Sequence, residues 1–335
     1  MMIPKEIILE VVRLALYIVG LIAFAAFNAA YLSLAERKIP AWFQLRHGPK
    51  EVGPYGLLQP VADGIKLLSK QLIVQEGTDV FLFKLAPVMV ITPAVMCLAV
   101  IPFSETLCAR NINLGLLAVF SFSSVHVLAT MLGGWASYNK YASIAAARVV
   151  AQNIAYEIPL LLVMVSLVMV THTCNLHEIV DQQAGAFWHW NVLRVQASPL
   201  MPLSFLLFFI CMLAEANRAP FDMYEAESEL VAGAFTEYSG MGFGLFFIAE
   251  YANIVVGCSL ATVLFLGGWH CPFGLLPGLH WFLIKLYVLC FCVIWVRWSF
   301  PRTQFYGLLN LSWKLLIPLT FINLALTAVM LKIFG

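Results

Sequence analysis

The chain has 335 residues, 62% of them hydrophobic and 11% charged, with a formal net charge of +1 and a mean hydropathy of +0.89. Soluble domains are about 45–50% apolar and about 25% charged, so this composition cannot be covered by a polar surface in water and reads as an integral membrane protein. The near-zero charge excludes a nucleic-acid binder with its clustered basic excess, and the missing alternation of short polar strands excludes an outer-membrane barrel.

Apolar runs of about 20 residues are long enough to cross a bilayer as helix. They predict eight spans, near 7–33, 83–103, 112–134, 158–173, 199–214, 243–267, 279–299 and 311–331. The expected fold is therefore an all-α integral membrane protein forming a single membrane domain over 1–335. Glu6, Glu10 and Arg13 interrupt the opening and no small-residue cleavage site follows, so the first run is expected to stay in the protein. The fourth run is short unless it extends back through Glu157. Neither an internal repeat nor a low-complexity tract is visible.

Basic residues set the orientation. The connections after spans one, three, five and seven, with the span ends that border them, hold thirteen Lys and Arg, against five in the opposite connections, span ends and termini. By the positive-inside rule both termini face outward and loops 34–82, 135–157, 214–242 and 300–310 are cytoplasmic. The outward stretch 174–198, with Trp188, His189 and Trp190, has the aromatic character of a membrane interface.

Metal chemistry has little support. The eight cysteines are scattered singly, without the C-x-x-C pairs that hold zinc or iron–sulfur clusters. His172, Cys174 and His177 sit in a short outward connection and lack the spacing of a closed zinc site. No metal is expected on this chain.

Two cytoplasmic connections carry the chemistry. In the first, Gly48-Pro49 and Gly53-Pro54 form turns, and Pro60 opens a helix bearing Asp63, Lys66 and Lys70. Val61, Ile65, Leu68 and Leu72 fall at helical spacing, which suits a basic helix lying on the membrane surface or on a neighbour. In the second, Glu215, Asp222, Glu225, Glu227, Glu229 and Glu237 crowd six carboxylates into 23 positions. On a helix Asp222, Glu225 and Glu229 would share a face, with Glu227 elsewhere. Crowding and desolvation raise the proton affinity of carboxylates, so this run reads as a proton-accepting cluster. The interleaved Phe221, Leu230, Val231 and Phe235 favour burial over a solvated acidic loop. Glu36, Glu157, Glu250 and Lys285 lie at or within span ends, where ionisable groups default to function.

At these loops the chain resembles a family of membrane subunits of proton-pumping NADH-quinone oxidoreductase, respiratory complex I, the family known as the H subunit in bacteria and equivalent to mitochondrial subunit one. The stretches that carry the resemblance are AERK at 35–38, RHGPKEVGPYGLLQPVADGIKLL at 46–68, LGGWASYNKYA at 132–142, EANRAPFDMYEAESELVAG at 215–233, EYSGMGFGLFFIAEYANI at 237–254 and IWVRWSFPR at 294–302. The resemblance implies an eight-helix subunit beside the hydrophilic arm, whose loops help form a quinone chamber and begin the charged path to the proton pumps. Carried over by position, it makes Glu36, Arg37, Asp63, Lys66, Arg297 and Arg302 candidates for the chamber. Glu157, Glu215, Asp222, Glu225, Glu227, Glu229, Glu237 and Glu250 become candidates for proton coupling, and Arg218 and Tyr238 structural residues of the acidic loop.

The resemblance further implies that quinone is the substrate and that this chain binds no cofactor. Iron–sulfur clusters, FMN and NADH are expected in partner subunits. The implied partners are the terminal iron–sulfur cluster subunit, the hydrophilic quinone-site subunit, small membrane subunits and the lipid bilayer of a bacterial inner membrane. The chain departs from the family at Glu51, where Arg is common, at Gln71, where Glu is common, and after Arg302, where TQFYG lacks a further basic residue. The same subunit type occurs in membrane-bound nickel-iron hydrogenases and formate hydrogenlyases, which stay as an alternative. A free-standing ion transporter would predict pseudo-symmetric halves, and none is visible.

Overall fold

The computed structural model describes residues 5–194, 200–223, 233–274 and 276–334. In chain order its helices are α1 (Lys5–Phe43), α2 (Gln59–Ser69), α3 (Val80–Val100), α4 (Gly115–Ala136), α5 (Lys140–Thr171), α6 (Leu176–Asp181), α7 (Met201–Glu215), α8 (Gly240–Phe265), α9 (Leu279–Ser299), α10 (Phe305–Leu311) and α11 (Ile317–Phe334). A π-type turn over Ser312–Leu316 joins α10 to α11. Among the described residues seven helices are long and apolar enough to cross a membrane, with α10 and α11 counted as one. The eighth expected span, near 199–214, is the apolar but shorter α7, with 15 residues.

Backbone chemistry explains the lengths. In hydrocarbon every N–H and C=O must be paired within the segment, which makes helix obligatory for these runs and lets Pro40, Pro87, Pro93 and Pro159 sit inside them. Asp79 caps α3 by accepting from Leu82 N, and Asn139 caps α5 by accepting from Tyr141 N. Two helices run well past the apolar stretches, α1 at its carboxyl end and α5 at its start. α5 has 32 residues, so most of the 135–157 connection is helical. At 1.5 Å per residue α5 spans about 48 Å, against a hydrocarbon core of about 30 Å, and its first turns therefore project beyond the bilayer.

α8 is the central helix, packed against α1, α3, α7 and α9. The main core gathers Leu98, Ile101, Leu167, Phe208, Phe265 and Phe282. α4 and α5 approach closely at Gly134, where an added Cβ would lie 2.4 Å from Ala146 Cβ and 2.8 Å from Ala142 O. The outer face of α1 leaves Leu16, Val19 and Phe27 exposed, a surface suited to hydrocarbon rather than water. α2 is amphipathic as expected, with Val61, Ile65 and Leu68 exposed along one stripe and Leu67 turned toward Gly244 of α8.

The connections 44–79 and 300–304 and the stretches 216–223 and 233–239 come together at one end of the bundle, the charged side. There Tyr238 stacks on Phe83 at 4.2 Å and donates its hydroxyl hydrogen to Gly133 O at 3.1 Å. Burial holds the Tyr238 phenol above its ordinary pKa, so it remains a donor throughout the physiological range.

At the opposite end Lys285 donates to the carbonyls of Leu266, Gly268 and His270 at 2.6, 2.9 and 2.7 Å, and its ammonium lies 4.1 Å from the Trp190 ring centroid. Gln183 and Asn191 reinforce this closure by donating to Val263 O and Leu264 O. All three ammonium hydrogens are thus used, and the carboxyl end of α8 is tied to its neighbours. Lys285→Met is expected to cost about 3 kcal/mol, since it strands several buried carbonyls. The check is a lower unfolding temperature of the purified protein.

Candidate functional site

Four elements build a charge cluster just inside the charged side. The end of α1 supplies Glu36, the loop after α7 supplies Arg218, α8 supplies Glu250 and Tyr251, and α9 supplies Arg297. Glu36, Arg218 and Glu250 are 8%, 3% and 9% exposed. Buried charges at that depth are tolerated only as mutual partners. Arg218 Nε lies 3.0 Å from Glu250 Oε1, and Arg218 Nη1 lies 3.5 Å from both Glu36 oxygens. Arg297 and the Tyr251 hydroxyl also donate to Glu36. The Arg218 guanidinium stacks 4.2 Å from the Tyr251 ring centroid. Burial alone would lower the pKa of Arg218, but Glu250 and Glu36 outweigh it and push the value up, so the guanidinium is permanently charged. Two carboxylates face two guanidiniums, and the cluster is formally neutral.

Above this cluster lies an open cleft of about 450 Å³, lined among others by Glu36, Arg37, Arg46, His47, Tyr251 and Arg297. Its walls are half apolar and its floor is the charge-balanced cluster itself. Behind the cluster two smaller cavities continue into the bundle. One, of about 20 Å³, is lined by Glu250, Asn217, His126 and Asn253. The next, of about 50 Å³, is lined by Glu215, Ser123, His126, Asn153 and Asn253. Beyond it Glu157 accepts from Ser124 Oγ at 2.6 Å. A discontinuous polar interior therefore leads from the cleft into the middle of an apolar bundle.

The other residues singled out from the sequence fall elsewhere. Arg37 pairs with Asp63 at 3.2 Å on the surface, where Gln59 also donates to Asp63, and Lys66 lies on α2 beside them. Asp222 is buried and pairs with the half-exposed Arg302 at 3.2 Å, while Thr303 N and Oγ1 donate to Pro220 O. Asp222 stands in irregular chain, not on a helical face, because the Pro220 segment is held by these contacts to the final loop. Glu225, Glu227 and Glu229 lie outside the described residues. Glu237 accepts from the side chains of Gln75 and Asn139, so it fastens the 70–79 connection to the start of α5 rather than joining the buried carboxylates.

Sequence reasoning misses Tyr251, His126, Asn153 and Asn253. His126 has a usable signal, an ionisable side chain in the middle of a predicted span. Asn253 follows Glu250 by three residues and so shares its face of α8. Asp63→Asn is expected to change stability by less than about 1 kcal/mol, because exposed ion pairs are solvent-screened. A thermal unfolding comparison checks this.

The fold and the cluster define a class, that of a multi-pass helical membrane protein with a buried, charge-balanced site opening on one side. A sequence profile of the family described as NADH dehydrogenase matches residues 16–328. The chain is 58% identical over 317 residues to a protein of Desulfotalea psychrophila named as the H subunit of NADH-quinone oxidoreductase, covering 94% of this chain and 95% of that one. It is 41% identical to the protein of the same name from Carboxydothermus hydrogenoformans, over 96% of this chain and 90% of that one. Identity to the second of the H subunits named for this oxidoreductase in Geobacter metallireducens is 39%, over 96% of each chain. The chain belongs to the NADH dehydrogenase family.

Proposed function

We propose that this chain is the membrane subunit of a proton-translocating NADH-quinone oxidoreductase that houses the quinone headgroup and starts the path coupling its reduction to proton movement. The observation that carries the reading is the cleft floored by the Glu36–Arg218–Glu250–Arg297 cluster, with the polar interior directly behind it. The cleft is of ligand size. Its apolar walls suit an isoprenoid tail, and its guanidiniums suit the negative charge that builds on a quinone oxygen as electrons arrive.

Electrons reach the quinone from an iron–sulfur cluster in a neighbouring subunit. FMN and the NADH site belong to partners further up the hydrophilic arm, with a hydrophilic quinone-site subunit and small membrane subunits completing the surroundings. The charged side faces the cytoplasm of a bacterial inner membrane. Negative charge at the headgroup draws on Arg297 and Arg218, loosens their hold on Glu36 and Glu250, and raises the proton affinity of both carboxylates. Proton occupancy then shifts along Glu250, Glu215 and Glu157, with Glu225, Glu227 and Glu229 as further members of the path.

A photoreactive short-tail quinone applied to the purified complex tests the reading. Labelled peptides should fall within 33–49, 247–251 or 297–298. Labelling confined to other subunits would reject the chamber assignment. Mass spectrometry of the tagged, mildly solubilised complex should recover iron–sulfur and antiporter-like subunits, whereas a nickel-site subunit would move the chain to the hydrogenase alternative.

A further inference from the structure

The two cavities behind the charge cluster are lined by different carboxylates, Glu250 on one side and Glu215 on the other, and His126 and Asn253 line both. The His126 ring therefore stands in the wall between them. It comes from the middle of α4, is 8% exposed, and meets polar groups through both nitrogens. Nδ1 lies 3.2 Å from Val90 O. A carbonyl only accepts, so Nδ1 carries hydrogen. Nε2 lies 2.9 Å from Asn253 Nδ2. In the neutral ring Nε2 is then the acceptor, and the Asn253 amide donates to it.

We propose that His126 is the proton carrier that joins the Glu250 end of this polar interior to the Glu215 end, an inference that rests on the coupling function proposed above. As the Asn253 amide turns away and frees the Nε2 lone pair, a proton from the Glu250 carboxyl, carried through the water-sized space beside the ring, enters there and leaves an imidazolium and a carboxylate. Val90 O keeps its hydrogen bond, and a half-turn of the Asn253 amide presents Oδ1 to the new N–H. When Nε2 passes the proton to the Glu215 carboxylate, the ring returns to neutral and the amide turns back. One proton has moved and no other covalent bond has changed. Asparagine cannot carry the proton itself, but its two-faced amide accepts either state of the ring without leaving a buried group unpaired.

A cavity needs roughly 10–15 Å³ to hold one water, so a space of about 20 Å³ and one of about 50 Å³ each accommodate water beside the ring. The carboxylates on the cavities that the ring shares are Glu250 on α8 and Glu215 on α7, with Glu157 of α5 next along. α3 contributes the Val90 carbonyl. Each stage of the transfer thus has a carboxylate to receive the charge.

The test is His126→Gln in the assembled complex reconstituted in liposomes, with Glu215→Gln and Glu250→Gln alongside. Glutamine retains a donor and an acceptor but cannot be protonated, so a purely structural histidine would be replaced without loss. The expected result is full assembly, unchanged electron transfer from NADH to an artificial acceptor on the hydrophilic arm, and quinone-coupled proton uptake reduced at least about ten-fold. Normal coupling in His126→Gln, with coupling lost in both carboxylate variants, would overturn the role of His126 and leave the coupling path standing. Normal coupling in all three would overturn the path itself. The unmodified complex gives a second readout that needs no variant to assemble. With ring-¹⁵N histidine, infrared difference spectra on quinone reduction should show a shifted imidazole band, and its absence would also overturn the proposal.

Discussion

Replacing Arg218 with methionine is expected to remove the subunit from the assembled complex. Arg218 stands between two carboxylates that are themselves almost wholly buried, Glu250 at 3.0 Å and Glu36 at 3.5 Å. Methionine fills much of the same volume but leaves Glu250 without this cation and Glu36 with Arg297 and Tyr251 alone. Breaking one member out of a buried ionic network costs about 3–5 kcal/mol, comparable with much of a domain's net stability. Lysine should not rescue it, since a single ammonium cannot span both carboxylates and stack on Tyr251 as the planar guanidinium does. Adding Glu250→Gln to Arg218→Met should recover part of the loss, because it removes the charge left stranded. Native gel analysis of the membranes reads all three outcomes. Wild-type amounts of complex in the single Arg218→Met variant would show that the network is dispensable for stability.

The second large effect is expected at Glu36. Glu36→Gln keeps an oxygen for Tyr251 and Arg297 but converts a formally neutral floor into one with a net positive charge. A cationic floor holds the oxygen of a reduced headgroup more tightly and removes one of the two carboxylates able to answer its charge. Quinone-dependent turnover should fall roughly a hundred-fold, the range set by losing one positioned proton-transfer or charge-stabilising group. Electron transfer from NADH to an artificial acceptor should be unchanged. Glu36→Asp, which restores charge on a shorter stem, should fall between the two. Equal loss with both acceptors would instead point to failed assembly.

Apolar runs locate the spanning helices well because the bilayer leaves a long apolar segment no alternative to helix. The ends are less legible. AERK at 35–38 reads as the beginning of a loop, whereas α1 continues to Phe43. Its Glu36 is answered by Arg218 and Arg297, 182 and 261 positions away. No local pattern encodes partners at that separation. Resemblance and composition together point to Glu36, Arg218, Glu250 and Arg297 separately, and only the packing of α1, α8 and α9 shows that they are one group. In the acidic loop the pattern is legible and the partners are not. Spacing places Asp222 on a common helical face with Glu225 and Glu229, yet its partner is Arg302 on the final loop. Glu237 reads as a titrating carboxylate by proximity in sequence, although its neighbours in space are Gln75 and Asn139. His126 and Asn253 escape because isolated polar residues in apolar helices carry no periodic signal.

The closure at Lys285 has a mechanical meaning. It fixes the far end of α8, while the near end opens with Gly240, Gly242 and Gly244, whose missing side chains let the chain at Lys70 and Leu72 lie directly on the backbone. That near end is fastened too, since Ser239 Oγ donates to Gln71 O and accepts from Ile73 N. Held at both ends, α8 is a beam rather than a lever, and Glu250 lies in it somewhat toward the glycine end. A push that a changed charge exerts there is borne by both supports.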